Sequence, residues 1–421
     1  MTNPLLDLSA LPRFSAVRPE HVEPALDEVL ETSRARIDAI TRADADSCDD
    51  VVAPLEAIGH RLGRVWAPVG HLNAVVNTPQ LREAYNRCLP KLSAYATELN
   101  QNDALFRSFR RVAEADAPLD PAQRKVVEHA LRDFRLAGVD LPPAEKSRFK
   151  ALMEELATLQ AKFEENVLDA TNAWSKHITD EAQLAGLPEG LVDRAREAAA
   201  EADQEGWLFT LDFPASHGVL SQADDRALRR EFYEAWVTRA SDQGPHAGRW
   251  DNTPVMLRIL ELRREAAALL GFANYAEYSL ATKMAANVDE VVTFLEELAA
   301  PSRPAAAREL AEVAAQADHP LEAWDVAYYA EKLRRKRFDI SDEALRPWFP
   351  AARVLDGMFR LTETLFGVSI RQGDSSDRWH DDVAYYEIHD GSGLRGSFYV
   401  DLYARSRKRG GAWMDDCVGR A

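Results

Sequence analysis

Cysteine is scarce in this 421-residue chain: Cys48, Cys88 and Cys417 are odd in number and widely spaced. That pattern gives no disulfide framework and predicts free thiols in a reducing compartment, with the cytoplasm as the expected address. No apolar run approaches the length needed to cross a bilayer, so no membrane partner is expected. The opening Met1-Thr2-Asn3-Pro4-Leu5-Leu6-Asp7 has neither a basic leader nor an apolar core, and no secretory signal is expected. Phosphate-cradling glycine patterns are missing too; Gly410-Gly411 and the glycines of Asp390-Gly391-Ser392-Gly393 read as turn residues, which leaves nucleotide binding without support. The formal net charge of −18 repels phosphate over most of the surface and argues against nucleic acid as a partner. Two basic runs, Arg334-Arg335-Lys336-Arg337 and Arg405-Ser406-Arg407-Lys408-Arg409, have acidic residues nearby and read as solvated faces.

What is present is the balance of a globular protein: 46% hydrophobic and 29% charged residues, in a chain long enough for two or three domains. The fold class is mainly α, an elongated helical bundle with a small β-hairpin toward the C-terminus. The clearest helix follows Pro142-Pro143, where Phe149, Leu152, Leu156, Leu159, Phe163, Val167, Ala170 and Trp174 recur at steps of three or four. Helices are also expected over 224–239, with Leu228, Phe232, Ala235 and Trp236 on one side, and over 252–270. The Ala-rich stretch 304–315 reads as a helix whose small side chains permit close packing. Trp207-Leu208-Phe209-Thr210-Leu211-Asp212-Phe213-Pro214 reads as a strand closed by proline. Near it a domain boundary is expected at about residue 215, giving a helical domain over 1–215 and a second over 216–421. Strands over 380–388 and 394–403 bracket the hairpin turn. In the second, Phe398, Val400 and Leu402 face one way, while Tyr399, Asp401 and Tyr403 face the other.

Three constellations could carry chemistry. His380, Asp381, Asp382, Glu387, His389 and Asp390 are metal-capable, but alternation turns the two histidines to opposite faces, so a solvent-facing strand edge is the expected reading. Cys417 follows Asp415-Asp416, whose carboxylates raise a thiol's pKa and oppose a nucleophilic role. Asp325 and Tyr328 fall on one side of a helix that also carries Tyr329. With Tyr399, Asp401 and Tyr403 they are either contacts for a bound peptide or buried, mutually satisfied polar groups.

Several stretches carry a family resemblance. They include Arg18-Pro19-Glu20-His21-Val22, His71-Leu72-Asn73-Ala74-Val75, Leu81-Arg82-Glu83-Ala84-Tyr85 and Asn166-Val167-Leu168-Asp169-Ala170-Thr171. Further along come Thr238 to Pro245 with Trp250-Asp251-Asn252, then Leu280-Ala281-Thr282-Lys283-Met284-Ala285 and Trp324-Asp325-Val326-Ala327-Tyr328-Tyr329. Arg395 to Arg405 and Gly410-Gly411-Ala412-Trp413-Met414-Asp415-Asp416-Cys417 complete the series. In this order, through the whole chain, they resemble the thimet oligopeptidase family of zinc peptidases. The resemblance implies a mostly helical, two-lobed, zincin-like protein that cleaves short peptides in a narrow channel and works as a monomer at full length. It also implies zinc as cofactor, held by two histidines of an H-E-x-x-H helix and a more distant glutamate, with the motif's glutamate as general base.

The chain departs from that pattern. Its ten histidines include no two that are four residues apart, so the paired imidazoles of such a helix are absent, and no catalytic or metal-binding residue carries over. The chain is therefore expected to be the N-terminal part of such an enzyme, ending before the zinc motif, binding no zinc and cleaving nothing alone. The alternative is a non-enzymatic helical protein of the same descent that binds a peptide or a partner. An uncovered sheet edge and apolar face predict poor solubility for the isolated chain.

Overall fold

The computed structural model describes residues 3–116, 118–374 and 377–419. It is mostly helical, with two small antiparallel sheets among the described residues. The chain divides into two compact units, each assembled from separated segments: Met1–Glu165, Asn252–Val292 and Arg407–Ala421 in the first, Asn166–Asp251 and Thr293–Ser406 in the second.

The first unit opens with α1 (Pro19–Arg42), α2 (Cys48–Val75), α3 (Pro79–Asn100), α4 (Asp103–Glu114) and α5 (Pro121–Leu136). Local chemistry sets their starts. Asn102 accepts from the backbone N–H groups of Ala104 and Leu105, and Asp120 and Gln123 satisfy each other's backbone N–H groups in a capping box. α1 packs against α2, α3 and α4, burying Val22, Leu26, Val29 and Leu30. The long helix α6 (Pro143–Asn172) follows, as its apolar seam predicts. Phe149, Leu152 and Leu156 of that seam form a core with Ile259, Leu262 and Ala266 of a helix that returns later to this unit. Trp174 lies just past the end of α6, in the core of the second unit, edge-on to Phe232 at 4.8 Å.

In the second unit β1 (Ser175–Ile178) pairs antiparallel with β2 (Trp207–Thr210), and α7 (Glu189–Glu201) packs against β2. The expected strand over 207–214 is thus only half strand. Asp212 caps a new helix, α8 (Phe213–Gln222), and Pro214 sits in its first turn, where its missing N–H leaves nothing unpaired. Position 215 falls inside α8 and the second unit. α9 (Arg226–Val237) packs on α8 and buries Leu228, Phe232 and Ala235.

The chain then rejoins the first unit through α10 (Thr253–Leu269) and α11 (Tyr275–Leu280). The apolar residues of α10 divide: Ile259 and Leu262 are buried, whereas Met256 and Leu260 are exposed. α12 (Val288–Ala314) carries Pro301 and Pro304 within its length, and its Ala-rich half is largely solvent-facing, not close-packed. α13 (Val326–Phe338), α14 (Asp342–Leu345) and α15 (Ala351–Phe366) complete the helices of the second unit. Its second sheet has the order β3 (Ser369–Gln372), β4 (Ala384–Asp390), β5 (Gly393–Val400), all antiparallel. The hairpin is where its turn signal puts it, but β4 begins at Ala384, and Asp401 and Tyr403 lie beyond the end of β5. β3 adds a third strand.

Candidate functional site

Among the described residues of the second unit, the most enclosed polar side chain is Asp325. Asp225 caps α9 through the backbone N–H groups of Ala227 and Leu228, which sets Arg226 and Arg229 one turn apart on the same side. A short helical turn over Ala323–Asp325 brings the Asp325 carboxylate, fully buried, against both guanidinium groups. Arg226 donates from Nε at 3.0 Å and from Nη2 at 2.7 Å, Arg229 from Nη2 at 2.9 Å, and the Glu322 backbone N–H at 3.0 Å. Burial pushes the Asp325 carboxyl up. The hydrogen bonds from Arg226, Arg229 and the Glu322 backbone outweigh it and hold the group well below the usual carboxylate range.

Tyr328 lies in the first turn of α13, its ring centre 4.0 Å from the Arg229 guanidinium carbon and its hydroxyl donating to Asp224 at 2.5 Å. Burial, then the bond to Asp224, pushes that phenol up. Tyr329 meets His319 at 3.3 Å through its hydroxyl. Asp325 and Tyr328 thus share one side, as their spacing predicts, and that side points inward. Both Asp325 oxygens are engaged, so the cluster ties α8, α9 and α13 together and is no general base.

A second polar cluster lies where β5 ends. The Tyr399 ring stands 5.0 Å from Tyr385 and 5.2 Å from Trp379. Asp401 accepts the Trp379 indole N–H at 2.9 Å and a two-pronged Arg405 guanidinium at 2.7 and 2.8 Å. Tyr403 is exposed. The structure therefore brings Tyr399 and Asp401 together through Trp379, a residue that spacing arguments do not single out because it sits in a loop.

The metal-capable residues of this region are engaged locally. His389 Nε2 meets Glu387 at 2.9 Å on one face of β4, and His380 Nδ1 lies 3.5 Å from Asp382 in the preceding turn. Asp390 accepts from Ser392 and Arg395, which bring its carboxyl down to about 2. Among the described residues, no group of three or more His, Cys, Asp and Glu side chains is placed to hold a metal ion. These residues do not fit the two-imidazole, one-carboxylate zinc centre that the resemblance implies.

In the first unit the structure joins two motifs that are far apart in sequence. The segment after residue 406 lies along α2: the Arg409 backbone N–H donates to Ala74 at 2.7 Å, and the Trp413 ring stands 5.7 Å from that of His71. Asp415 Oδ2 is 3.9 Å from His71 Nδ1. Burial, then Asp415 and Asp416, pushes the Cys417 thiol up to about 11, the direction expected for a cysteine that follows two carboxylates.

Comparison with known proteins places this architecture. The profile "Neurolysin/Thimet oligopeptidase, N-terminal domain" matches residues 26–146, and "Peptidase family M3" matches 219–421. Oligopeptidase A of Salmonella typhimurium is 47% identical over 429 residues, an alignment that covers 100% of this chain and 63% of the relative. Oligopeptidase A of Haemophilus influenzae is 43% identical over 428 residues, again 100% of this chain and 63% of the relative. The dipeptidyl carboxypeptidase of Escherichia coli is 32% identical over 432 residues, 99% of this chain and 63% of the relative. The chain thus spans 63% of the length of these relatives.

Proposed function

Because the chain belongs to the thimet oligopeptidase family, peptidase family M3, we propose that it is the N-terminal part of an oligopeptidase A-type zinc endopeptidase that hydrolyses short peptides in the cytoplasm. The observation that carries this reading is the 47% identity to a relative named oligopeptidase A along the entire chain. The division near residue 215 is kept as the boundary between two sequence domains, since the two matching profiles end at 146 and begin at 219. Substrate is a short peptide admitted to a narrow channel, the working enzyme is a monomer, and neither nucleic acid nor membrane takes part.

This chain's share of the task is scaffold and substrate enclosure, and the zinc ligands lie outside its residues. In this reading Asp325, Tyr328, Tyr399 and Asp401 are internal supports that hold the backbone of the second unit through the bonds described above. Tyr403, with its exposed ring, is the one of the five that offers itself to a peptide.

Two measurements test the reading. The purified chain is expected to hold no stoichiometric zinc by plasma emission spectrometry and to leave a fluorogenic short peptide intact. One zinc per chain, or cleavage abolished by a chelator, overturns the assignment of the zinc ligands. A chimera in which this chain replaces the matched stretch of the Salmonella relative is expected to cleave that peptide in a chelator-sensitive way. A well-folded chimera without such cleavage overturns the peptidase reading.

A further inference from the structure

α15 has two apolar faces, and only one of them is used. Phe359 turns toward the second sheet, its ring 4.9 Å from Tyr386 and 6.0 Å from Phe398, and this contact seats the helix. On the other side Val354, Met358, Leu361 and Leu365 follow one another at steps of four, three and four, which lines them up along one face of a 3.6-residue helix. These four side chains are 48%, 49%, 60% and 66% exposed. Trp348 and Phe349 before the helix and Phe366 at its end are exposed as well. A row of this kind in water is a surface that lacks its partner.

The borders of the row say what the partner is like. By helical geometry Gly357 and Thr364 flank it on one side, and Ala351 and Thr362 on the other. All four are small and uncharged, so a second helix can approach closely. The charged residues Arg353, Asp356 and Arg360 lie away from the row. Recognition at this face works by burial of apolar surface and not by ion pairing, which also disfavours an anionic lipid surface or a charged peptide as the occupant. The oligopeptidase A relatives supply a source, because 63% of their length matches this chain and the rest is further polypeptide.

We propose that the Val354–Met358–Leu361–Leu365 face of α15 is the docking seat for an apolar helix from the polypeptide that these relatives carry outside the matched stretch. The inference rests on family membership but not on peptidase activity. Binding is read without turnover, so its failure and the failure of the peptidase reading are separate results.

The test mixes the purified chain with the unmatched portion of the Salmonella oligopeptidase A, expressed separately and fluorescently labelled, and follows anisotropy. Binding is expected, with less than a twofold change in Kd between 0.1 and 0.5 M sodium chloride. Leu361→Glu and Leu365→Glu should each weaken it at least tenfold, while Arg360→Ala leaves it unchanged. The two leucines are solvent-exposed, and unchanged helicity and thermal melting of both variants show that the fold is intact. Equal binding by wild type and both glutamate variants overturns the proposal, as does no binding by the wild type. A wild-type dimer in sedimentation that Leu361→Glu dissociates also overturns it, assigning the face to a second copy of the chain.

Discussion

Arg229 donates to Asp325 at 2.9 Å across 96 positions of sequence, with 2% and 0% of the two side chains exposed. A pair this enclosed is expensive to break, because the surviving partner keeps its desolvation penalty and loses its compensation. Asp325→Ala is therefore expected to destabilise the second unit by about 3–5 kcal/mol, whereas replacing Asp325 and Arg229 together by leucine and methionine should be markedly milder than the sum of the single changes. Urea unfolding of the four proteins in a double-mutant cycle measures the coupling; additive losses would show that the pair does not act as a unit.

The same carboxylate gives a pH signature with a defined sign. Its folded pKa lies below the ordinary value of about 3.9, so the unfolded chain takes up the proton first as pH falls. The stabilisation is fully present above roughly pH 5 and is lost progressively below roughly pH 4, through the depressed folded value. The stability difference between wild type and Asp325→Asn should stay level from neutral pH to about 5 and shrink below 4. A difference that grows on acidification would reverse the assignment.

How much of this was legible beforehand depends on how local the signal is. The α6 seam from Phe149 to Leu156 was readable because helical periodicity is written in neighbouring residues, and so was the Asp390–Gly393 turn, whose chemistry is contained in four positions. The roles of Asp325 and Tyr328 were not. Spacing put them on one side of a helix, but whether that side faced a channel or the interior depended on Arg226, Arg229 and Asp224, about a hundred residues upstream. β3 leaves no sequence signal, because Ser369–Gln372 is too short to show alternation and its partner lies beyond an intervening loop. The helical reading of the Ala-rich stretch 304–315 stops short of α12's full extent, which runs back through Pro304 and Pro301 to Val288. The candidate site was legible mainly as family motifs. That the Gly410–Cys417 motif meets the His71–Val75 motif needed three dimensions.

Asp401 gives a prediction at the end of β5. It accepts from the Trp379 indole and from both terminal nitrogens of Arg405, so it holds the chain leaving the sheet. Asp401→Ala leaves a partly buried guanidinium without these bonds and should cost about 1.5–3 kcal/mol in local stability. Hydrogen exchange is expected to speed up in residues 398–405 and in the Trp379 indole, while the amides of α1 to α5 stay protected. Unchanged exchange of the indole proton would remove Asp401 from this role.

The three thiols should be sluggish. Burial is the largest cause raising Cys88 and Cys417 to about 11, and it also raises Cys48. Since the thiolate is the reactive species, alkylation of Cys417 by iodoacetamide at pH 8 is expected to run about a hundredfold slower than in an unstructured peptide. Asp415→Asn with Asp416→Asn should recover only part of that factor, because burial outweighs the two carboxylates. Recovery of the full peptide rate in the double variant would transfer the cause from burial to charge. Mass spectrometry of timed alkylation separates the two.

Gly186 links a backbone conformation to the buried ion cluster. Its φ of +85° lies in the region that side chains rarely occupy, and an added Cβ would fall 2.3 Å from the Gln222 carbonyl oxygen and 2.9 Å from the Asp224 carboxyl carbon. Neither neighbour is free to give way. Gln222 ends α8, the Asp224 backbone N–H donates to Ala185 at 2.8 Å, and the Asp224 side chain receives the Tyr328 hydroxyl. Gly186→Ala must either strain its own backbone or displace Asp224, and displacement would propagate to Tyr328 over the Arg229 guanidinium. The expected loss is about 1–3 kcal/mol from backbone strain, increased by any part of the Asp224–Tyr328 bond that is broken. Tyr328→Phe, which lacks that bond from the start, should lose less on adding Gly186→Ala than wild type does. Equal losses in the two backgrounds would confine the effect to the turn and uncouple it from the cluster around Asp325.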